Sequence, residues 1–588
     1  MISILLIATA VSAQAAPADP LAPLPQAQTP APAPAEQQPI VDQTPAQPAA
    51  RQPPVQPQAP ILRPAAIPRD WRGVFAAIRA GDWTAAQAGI ATLPPNILTP
   101  VAKAELYTAK GSPPVDLPSL QALLSQAPEL PDADQLAKLA MTRGATTAPQ
   151  IYVERPVVGL GSGPRRYRAK PVGGEPAADA LRVQLDGFVK ANDAASAEAA
   201  LNAQAPYLSV DARAEAGQRV AWIYYATGQD YHARRVADFW RAGASGEWRS
   251  QAAWVAGLAS WRMGDCNSAA REFREVAGSA TQRELGAGGY YWAARAEQAC
   301  NRPQAVEPLL KAAAASPESF YGLIARETLG TTTKIPRPTP VSTSMVDTLP
   351  NVQRATALAA IGETALAEEM LRHQARIGSP ADHLALLQAA KRLNLAGAQY
   401  WLATNGQPGV RVQVADRYPR PQWTPIRGWR VDPALAYAHI IQESNFRASA
   451  VSTAGAVGLM QVLPSTASAI AYQDGIGYSR ENLFSPTLNL EFGQSFIERM
   501  RRSAYTGGQL PKVIASYNAG PLPVGRWATI QDKGDPVLWI ESIPYWETRY
   551  YVPAVMRNLW VYEGLEGEDQ DSLKAMAQHR WPAFPTGR

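Results

Sequence analysis

Glu443 closes an apolar stretch, VDPALAYAHIIQES, and its position gives it the means to move a proton. Asp432 followed by Pro433 predicts a helix start, an N-cap and then a proline where the missing N–H costs nothing. Glu443 falls seven residues after Ala436 and three after Ile440. At about 3.6 residues per turn the three share one face. A carboxylate on a buried face loses hydration, so its charged form is disfavoured and its pKa rises. A protein keeps a carboxylic acid protonated near neutral pH in this way, ready to donate. Read alone, the same helix fits equally well a Glu at a frayed end, ion-paired or solvated.

The residues that follow weigh toward chemistry. Ser452 to Gln461 reads STAGAVGLMQ, with Gly455 and Gly458 where a chain turns tightly and lets another molecule approach its backbone. Further on come YNAGP, with Tyr517 and Asn518, and IPYWETRYYV, with Glu547. Taken in order, ES-x-F, S-x-AGA-x-GLMQ, YNAGP and IP-x-x-ETR-x-YV resemble the soluble lytic transglycosylases. These belong to the glycoside hydrolase group that also holds goose-type lysozymes, and they cut the glycan strands of peptidoglycan.

The resemblance implies a lysozyme-like catalytic domain over residues 415–588 and a role for each motif residue. Glycoside cleavage ordinarily uses two carboxylates, yet only Glu443 stands in the motif that supplies this family's acid. It would protonate the glycosidic oxygen between N-acetylmuramic acid and N-acetylglucosamine, then act as base on the muramic C6 hydroxyl. That hydroxyl would attack C1 internally and leave a 1,6-anhydro end without water. Ser452 matches the family serine that holds the N-acetyl group. Gly455, Gly458, Met460 and Gln461 would line the glycan cleft, Tyr517 matches the family tyrosine beside the acid, and Asn518 would support the site or contact sugar. Glu547 matches a second acidic position in the cleft; pairing with Arg549 is its alternative reading. Ile441 departs from the family's frequent Arg, and Leu522-Pro523 departs from Gly-Arg. A hydrolytic muramidase and a non-catalytic wall-binding scaffold remain the competing functions.

Stepping outward, the elements that would carry this domain are helical. Residues 69–405 read as helix after helix with Gly-Asp, Gly-Gln or Pro turns, as in DWRGVFAAIRAGDWTAAQAGIATL and ASWRMGDCNSAAREFREVA. This is the grammar of a tetratricopeptide-like solenoid, and GYYWAARA and SFYGLIARETLG resemble the helical superdomain of the large soluble lytic transglycosylases. The expected fold class is therefore mainly α, a superhelical amino region followed, after a connector at 406–414, by the lysozyme-like domain. Such a solenoid is also a generic scaffold on which other envelope proteins could dock. Cys266 and Cys300 lie 34 residues apart, the length of one repeat. A disulfide between them and two separate thiols both fit.

Between 147 and 174 the helical pattern lapses, and Pro336 to Pro340 marks another break. The GLGSG there leads into proline and a basic run instead of a helix, so it fails as a dinucleotide loop, and a connecting loop is expected. The run RRYRAK from Arg165 to Lys170 reads as solvated. Net charge is +5 with a pI near 9.0, a mild bias toward an anionic partner such as a cell-wall polymer. No basic run interleaved with aromatics calls for nucleic acid. His439 stands one turn before Glu443, but five histidines with no HExxH or Cys/His cluster give no metal site. No cofactor is expected.

At the amino end, residues 1–15 resemble a secretory signal, a short apolar core closed by Ala13-Gln14-Ala15, though without an early Lys or Arg. Residues 16–68 are rich in Pro, Ala and Gln and cannot bury enough surface to order themselves. No run reaches the roughly 20 apolar residues a membrane span needs. The expectation is an exported, periplasmic protein.

Overall fold

The computed structural model describes residues 67–331, 335 and 340–585. The signal-like segment and all of the Pro/Ala/Gln-rich stretch but Ile67 and Pro68 lie outside them, as does the break at 336–340 apart from Pro340. Among the described residues 26 α-helices are joined by short turns, and the sheet is a single pair of two-residue strands. No helix among them is long and apolar enough to cross a membrane.

The Gly-Asp turns work as their chemistry dictates. The Trp71–Ala80 helix ends at Gly81, whose φ of 72° is left-handed, and Asp82 then caps the Trp83–Thr92 helix by accepting from Ala85 N at 3.0 Å. Gly264 (φ 80°) and Asp265 repeat the device, Asp265 accepting from Ser268 N at 3.0 Å ahead of the Cys266–Ser279 helix. Cys266 opens that helix and Cys300 follows the Arg283–Ala299 helix, and the two are joined in a disulfide with Cα atoms 5.6 Å apart.

The stretch expected as one superhelix has two separate main cores, beside a small cluster of Ala169, Ala214, Ala244 and Trp248. One gathers residues 71–145 with residues 346–403. The other runs through residues 178–325 and continues without interruption into the carboxyl-terminal domain. The reason is physical: the last repeats of a solenoid expose an apolar end face that something must cover. The first helices cover theirs by folding back, with Arg72 Nε donating to Ile361 O at 2.8 Å and Arg354 paired with Glu129 at 2.6 Å. The middle helices cover theirs with the carboxyl-terminal domain.

The segment expected as a connecting loop is irregular and largely exposed, with Arg168 and Lys170 facing solvent, but the solvated reading of its basic run is corrected at Arg166, where the segment straps across the interior. Val158–Gly159 pairs antiparallel with Asn405–Gly406, and Leu160 N donates to Thr404 O at 2.8 Å. Gly163 lies where a Cβ would stand 2.8 Å from the Arg557 guanidinium carbon, so the bare backbone lets that guanidinium lie close over it. The Arg166 side chain, 4% exposed, pairs at 2.6 Å with Glu541, which is wholly buried. Glu541 also accepts from Tyr321 Oη at 2.6 Å and Trp254 Nε1 at 3.1 Å. Tyr167 exchanges two hydrogen bonds with Gln282, each 3.0 Å, and Lys170 O accepts from Trp248 Nε1 at 2.8 Å. Arg166 is buried because a carboxylate and aromatic partners meet it there; its guanidinium lies 4.9 Å from the Trp254 ring and 4.8 Å from Tyr550. Removing one partner from a buried pair strands the other's charge. Arg166→Leu and Glu541→Leu are each expected to cost about 3–5 kcal/mol, and the double variant less than their sum, as read from urea denaturation.

Candidate active site

The acid helix spans Pro433–Glu443, with Asp432 accepting from Ala434 N at 2.8 Å. Every residue from Ala434 to Ile441 on it is buried. Its last residue, Glu443, is half-buried. The helix packs along the Trp546–Glu566 helix, which brings two side chains of the ETR-x-YV motif to the acid. Tyr551 Oη donates to Glu443 Oε1 at 2.5 Å, and His439 Nδ1 lies 2.7 Å from the same phenolic oxygen. Glu443 Oε2 makes no hydrogen bond among the described residues.

Burial pushes the Glu443 carboxyl up to about 7; the Tyr551 hydrogen bond pulls the other way, and the nearby Glu547 carboxylate adds to the rise. Desolvation wins. Burial lowers His439 to about 3, so its ring is neutral wherever Glu443 titrates. The Tyr551 and Tyr517 phenols are both held well above 10, by burial first and by Glu443 second.

The other motif residues fall into three places. Ser452 sits in a tight hairpin, with its N–H donating to Ala456 O at 2.9 Å and its Oγ accepting from Ala456 N at 3.0 Å. Gly455 in the same turn (φ 81°) faces open space. Gln461, at φ 48°, donates through Nε2 to Gly458 O at 2.8 Å and Ala450 O at 3.2 Å, tying the hairpin shut.

Gly458 and Met460, expected to line the cleft, are buried beneath it instead. At Gly458, φ 81°, a Cβ would stand 2.2 Å from Asn489 Nδ2 and 2.4 Å from Leu483 O. Asn489 is the reason: it donates to Val457 O and Leu483 O, both at 2.9 Å, and accepts from Met460 N at 2.7 Å. The Met460 side chain is fully buried against Gly493.

The phenol bonded to the acid is that of Tyr551, not Tyr517. Tyr517 Oη donates to Met460 O at 2.7 Å, and its ring lies 4.6 Å from that of His439. It holds the floor of the site. Asn518 Oδ1 accepts from Thr548 Oγ1 at 2.6 Å, clamping YNAG to ETR. Glu547 is exposed and makes no ion pair among the described residues, so the reading that paired it with Arg549 is corrected. Arg549 turns away, donating to Ile543 O at 3.0 Å with its guanidinium 3.6 Å from the Trp222 ring. Tyr551 is the residue that sequence reasoning missed, and His439, noted one turn before Glu443, was weighed only as a metal ligand. The signal for Tyr551 was present: it follows Glu547 by four, hence on one helix face.

Comparison with known proteins bears on this arrangement. Residues 425–540 match the Transglycosylase SLT domain family. The chain is 32% identical over 151 residues to a putative soluble lytic murein transglycosylase of Haemophilus influenzae, covering 25% of each. It is 35% identical over 151 residues to the soluble lytic murein transglycosylase of Escherichia coli K12, 25% of this chain and 23% of that one. Over 158 residues it is 34% identical to an endo-type membrane-bound lytic murein transglycosylase A of Klebsiella pneumoniae, covering 24% of this chain and 77% of that protein. This chain belongs to the lytic murein transglycosylases. The match spans about a quarter of the length of the two soluble relatives (25% and 23%). The fold extends further than the sequence likeness. An inactive mutant of lytic transglycosylase Slt from Pseudomonas aeruginosa aligns with a TM-score of 0.51 at 18% identity, over 87% of this chain and 88% of that one. The 70 kDa soluble lytic transglycosylase of Escherichia coli aligns with a TM-score of 0.51 at 15% identity, over 87% and 99%. The fold is thus a superhelical amino region carrying a lysozyme-like domain.

The raised acid is a cost to folding. Below about 4.5 Glu443 is protonated in both folded and unfolded chains; between about 4.5 and about 7 only the unfolded chain ionises, and stability falls as pH rises through that window. Glu443→Gln removes the penalty. It is expected to raise stability at pH 8 by up to about 3 kcal/mol and to leave it unchanged at pH 4, as measured by urea denaturation at both pH values.

Proposed function

We propose that this chain cleaves the bond between N-acetylmuramic acid and N-acetylglucosamine in peptidoglycan without water, leaving 1,6-anhydro ends. The observation that carries the reading is the state of Glu443: a carboxyl raised to about 7, one oxygen held by Tyr551 and the other without a partner among the described residues. The proton on that oxygen passes to the glycosidic oxygen as the C1–O bond breaks. The muramic C6 hydroxyl then attacks C1 and returns its own proton to Glu443, so the acid is restored. An internal nucleophile carries a high effective concentration, which supplies part of the rate. The Ser452 hydroxyl proton finds no acceptor among the described residues, which supports a role in holding the substrate's N-acetyl carbonyl. Gly455 opens the neighbouring backbone to the sugar, and Glu547 supplies a negative charge beside the developing cation.

The enzyme works outside the cytoplasm, in the periplasm. The signal-like residues 1–15 and the Cys266–Cys300 disulfide support this, since such bridges persist in oxidising compartments. Mass spectrometry of sacculi digested by wild type and Glu443→Gln tests the reaction. Anhydromuramoyl ends from wild type, lost by at least about 100-fold in Glu443→Gln, are expected. Reducing ends would make the enzyme a hydrolytic muramidase, and no release from either form would leave a binding scaffold. The rate should fall as pH rises through about 7, where the acid loses its proton.

A further inference from the structure

Three groups stand in one hydrogen-bonded row, His439 Nδ1, Tyr551 Oη and Glu443 Oε1, spaced 2.7 Å and 2.5 Å. His439 is fully buried, and its other nitrogen, Nε2, has no partner among the described residues. The tyrosine has one proton and two neighbours, so the histidine tautomer decides where that proton points. We propose that His439 is a positioning residue: it donates from Nδ1 to Tyr551 Oη, commits the Tyr551 proton to Glu443 Oε1, and so keeps the transferable proton of the acid on Oε2. This goes deeper into the proposed reaction and rests on that reading for its purpose, though not for its test.

The tautomer follows from counting donors. A neutral imidazole has one N–H. Were it on Nε2, a buried N–H would have no acceptor, which folded proteins rarely tolerate. Nδ1 would then take the Tyr551 proton, and once Glu443 ionised, Tyr551 Oη and Glu443 Oε1 would face each other with no hydrogen between. With the proton on Nδ1, each N–H and O–H of the row has an acceptor and only a lone pair goes unfilled. Burial keeps the ring neutral, so the arrangement does not change across the range in which Glu443 titrates.

The consequence is directional. Oε1 accepts from Tyr551 whether Glu443 is charged or not, so the acidic hydrogen is excluded from it. The hydrogen resides on Oε2, the oxygen without a protein partner. When it leaves, the charge that appears on the carboxylate is already met by a donor in place. The remaining titratable groups facing the row are Glu547 on the Trp546–Glu566 helix and Tyr517 on the Leu510–Ala519 helix. Glu547 disfavours the charged form of Glu443, and the Tyr517 proton is spent on Met460 O. Within the row, then, the pull toward ionisation comes through Tyr551, and His439 governs it.

The test titrates Glu443 in the full chain by infrared difference spectroscopy without substrate, its carboxyl band assigned by loss in Glu443→Gln. His439→Leu is expected to raise the midpoint by about one pH unit, the worth of one hydrogen bond to a charged group. His439→Asn, whose amide nitrogen falls where Nδ1 was, should titrate as wild type; His439→Gln, which reaches the Nε2 position, should behave as His439→Leu. In a Tyr551→Phe background none of the three should shift the midpoint further. A wild-type midpoint in His439→Leu, an equal shift in His439→Asn, or a shift surviving Tyr551→Phe would each overturn the proposal. If His439→Leu does not fold, the Asn and Gln variants decide it alone. Because the titration is read without turnover, it stands even if digestion yields no anhydro ends.

Discussion

A carboxylate with no access to water, Glu541, ties the superhelix to the lysozyme-like domain. It is affordable only because three donors converge on it: Arg166 from the strap, Trp254 and Tyr321 from superhelical helices. A desolvated charge of this kind is a poor source of net stability but a strict geometric demand, since every partner must arrive together. The strap that carries Arg166 also pairs with the strand at Asn405–Gly406 and hands Lys170 O to Trp248. One irregular segment thereby reaches both cores and fixes the angle at which the cleft is presented.

Within the cleft the same physics runs with the opposite result. Glu541 receives three side-chain donors in the interior. Glu443 receives one, from Tyr551, and burial outweighs it. Two glutamates on neighbouring elements thus differ in role because of the number of N–H and O–H groups aimed at them, not because of depth alone. The folded chain bears the Glu443 penalty as pH rises, and the larger burial around Glu541 and along both cores offsets it.

Much of this was legible in the sequence where the cause is local. Asp432, Pro433 and the run to Ile441 predict the acid helix, because capping and apolar periodicity act within a few residues. The Gly-Asp turns were readable for the same reason, and the 34-residue spacing of Cys266 and Cys300 admitted the bridge that forms. What escaped depends on distant partners. Tyr551 meets Glu443 across 108 residues, and Arg166 meets Glu541 across 375. Within RRYRAK, Arg168 and Lys170 are exposed as expected, but Arg166 reads as solvated until the carboxylate and rings that receive it are known. Gly458 and Met460 were assigned to the cleft because they share a motif with Ser452, yet the motif includes the layer that supports the cleft as well as the surface that faces it. Asn489, which organises that layer, belongs to no motif quoted from the sequence.

The Trp546–Glu566 helix serves two clients. One side offers Tyr551 and Glu547 to the cleft; from the other, Arg549 stacks on Trp222 and Arg557 reaches Pro164 O in the strap. The helix that gives the acid its phenol is thus the same one that the superhelix and the strap hold in place. The amino region is less a handle for the carboxyl-terminal domain than half of its chassis. A graft of the carboxyl-terminal portion alone onto another carrier would keep the acid helix while taking the Trp222 ring from Arg549 and the Pro164 carbonyl from Arg557.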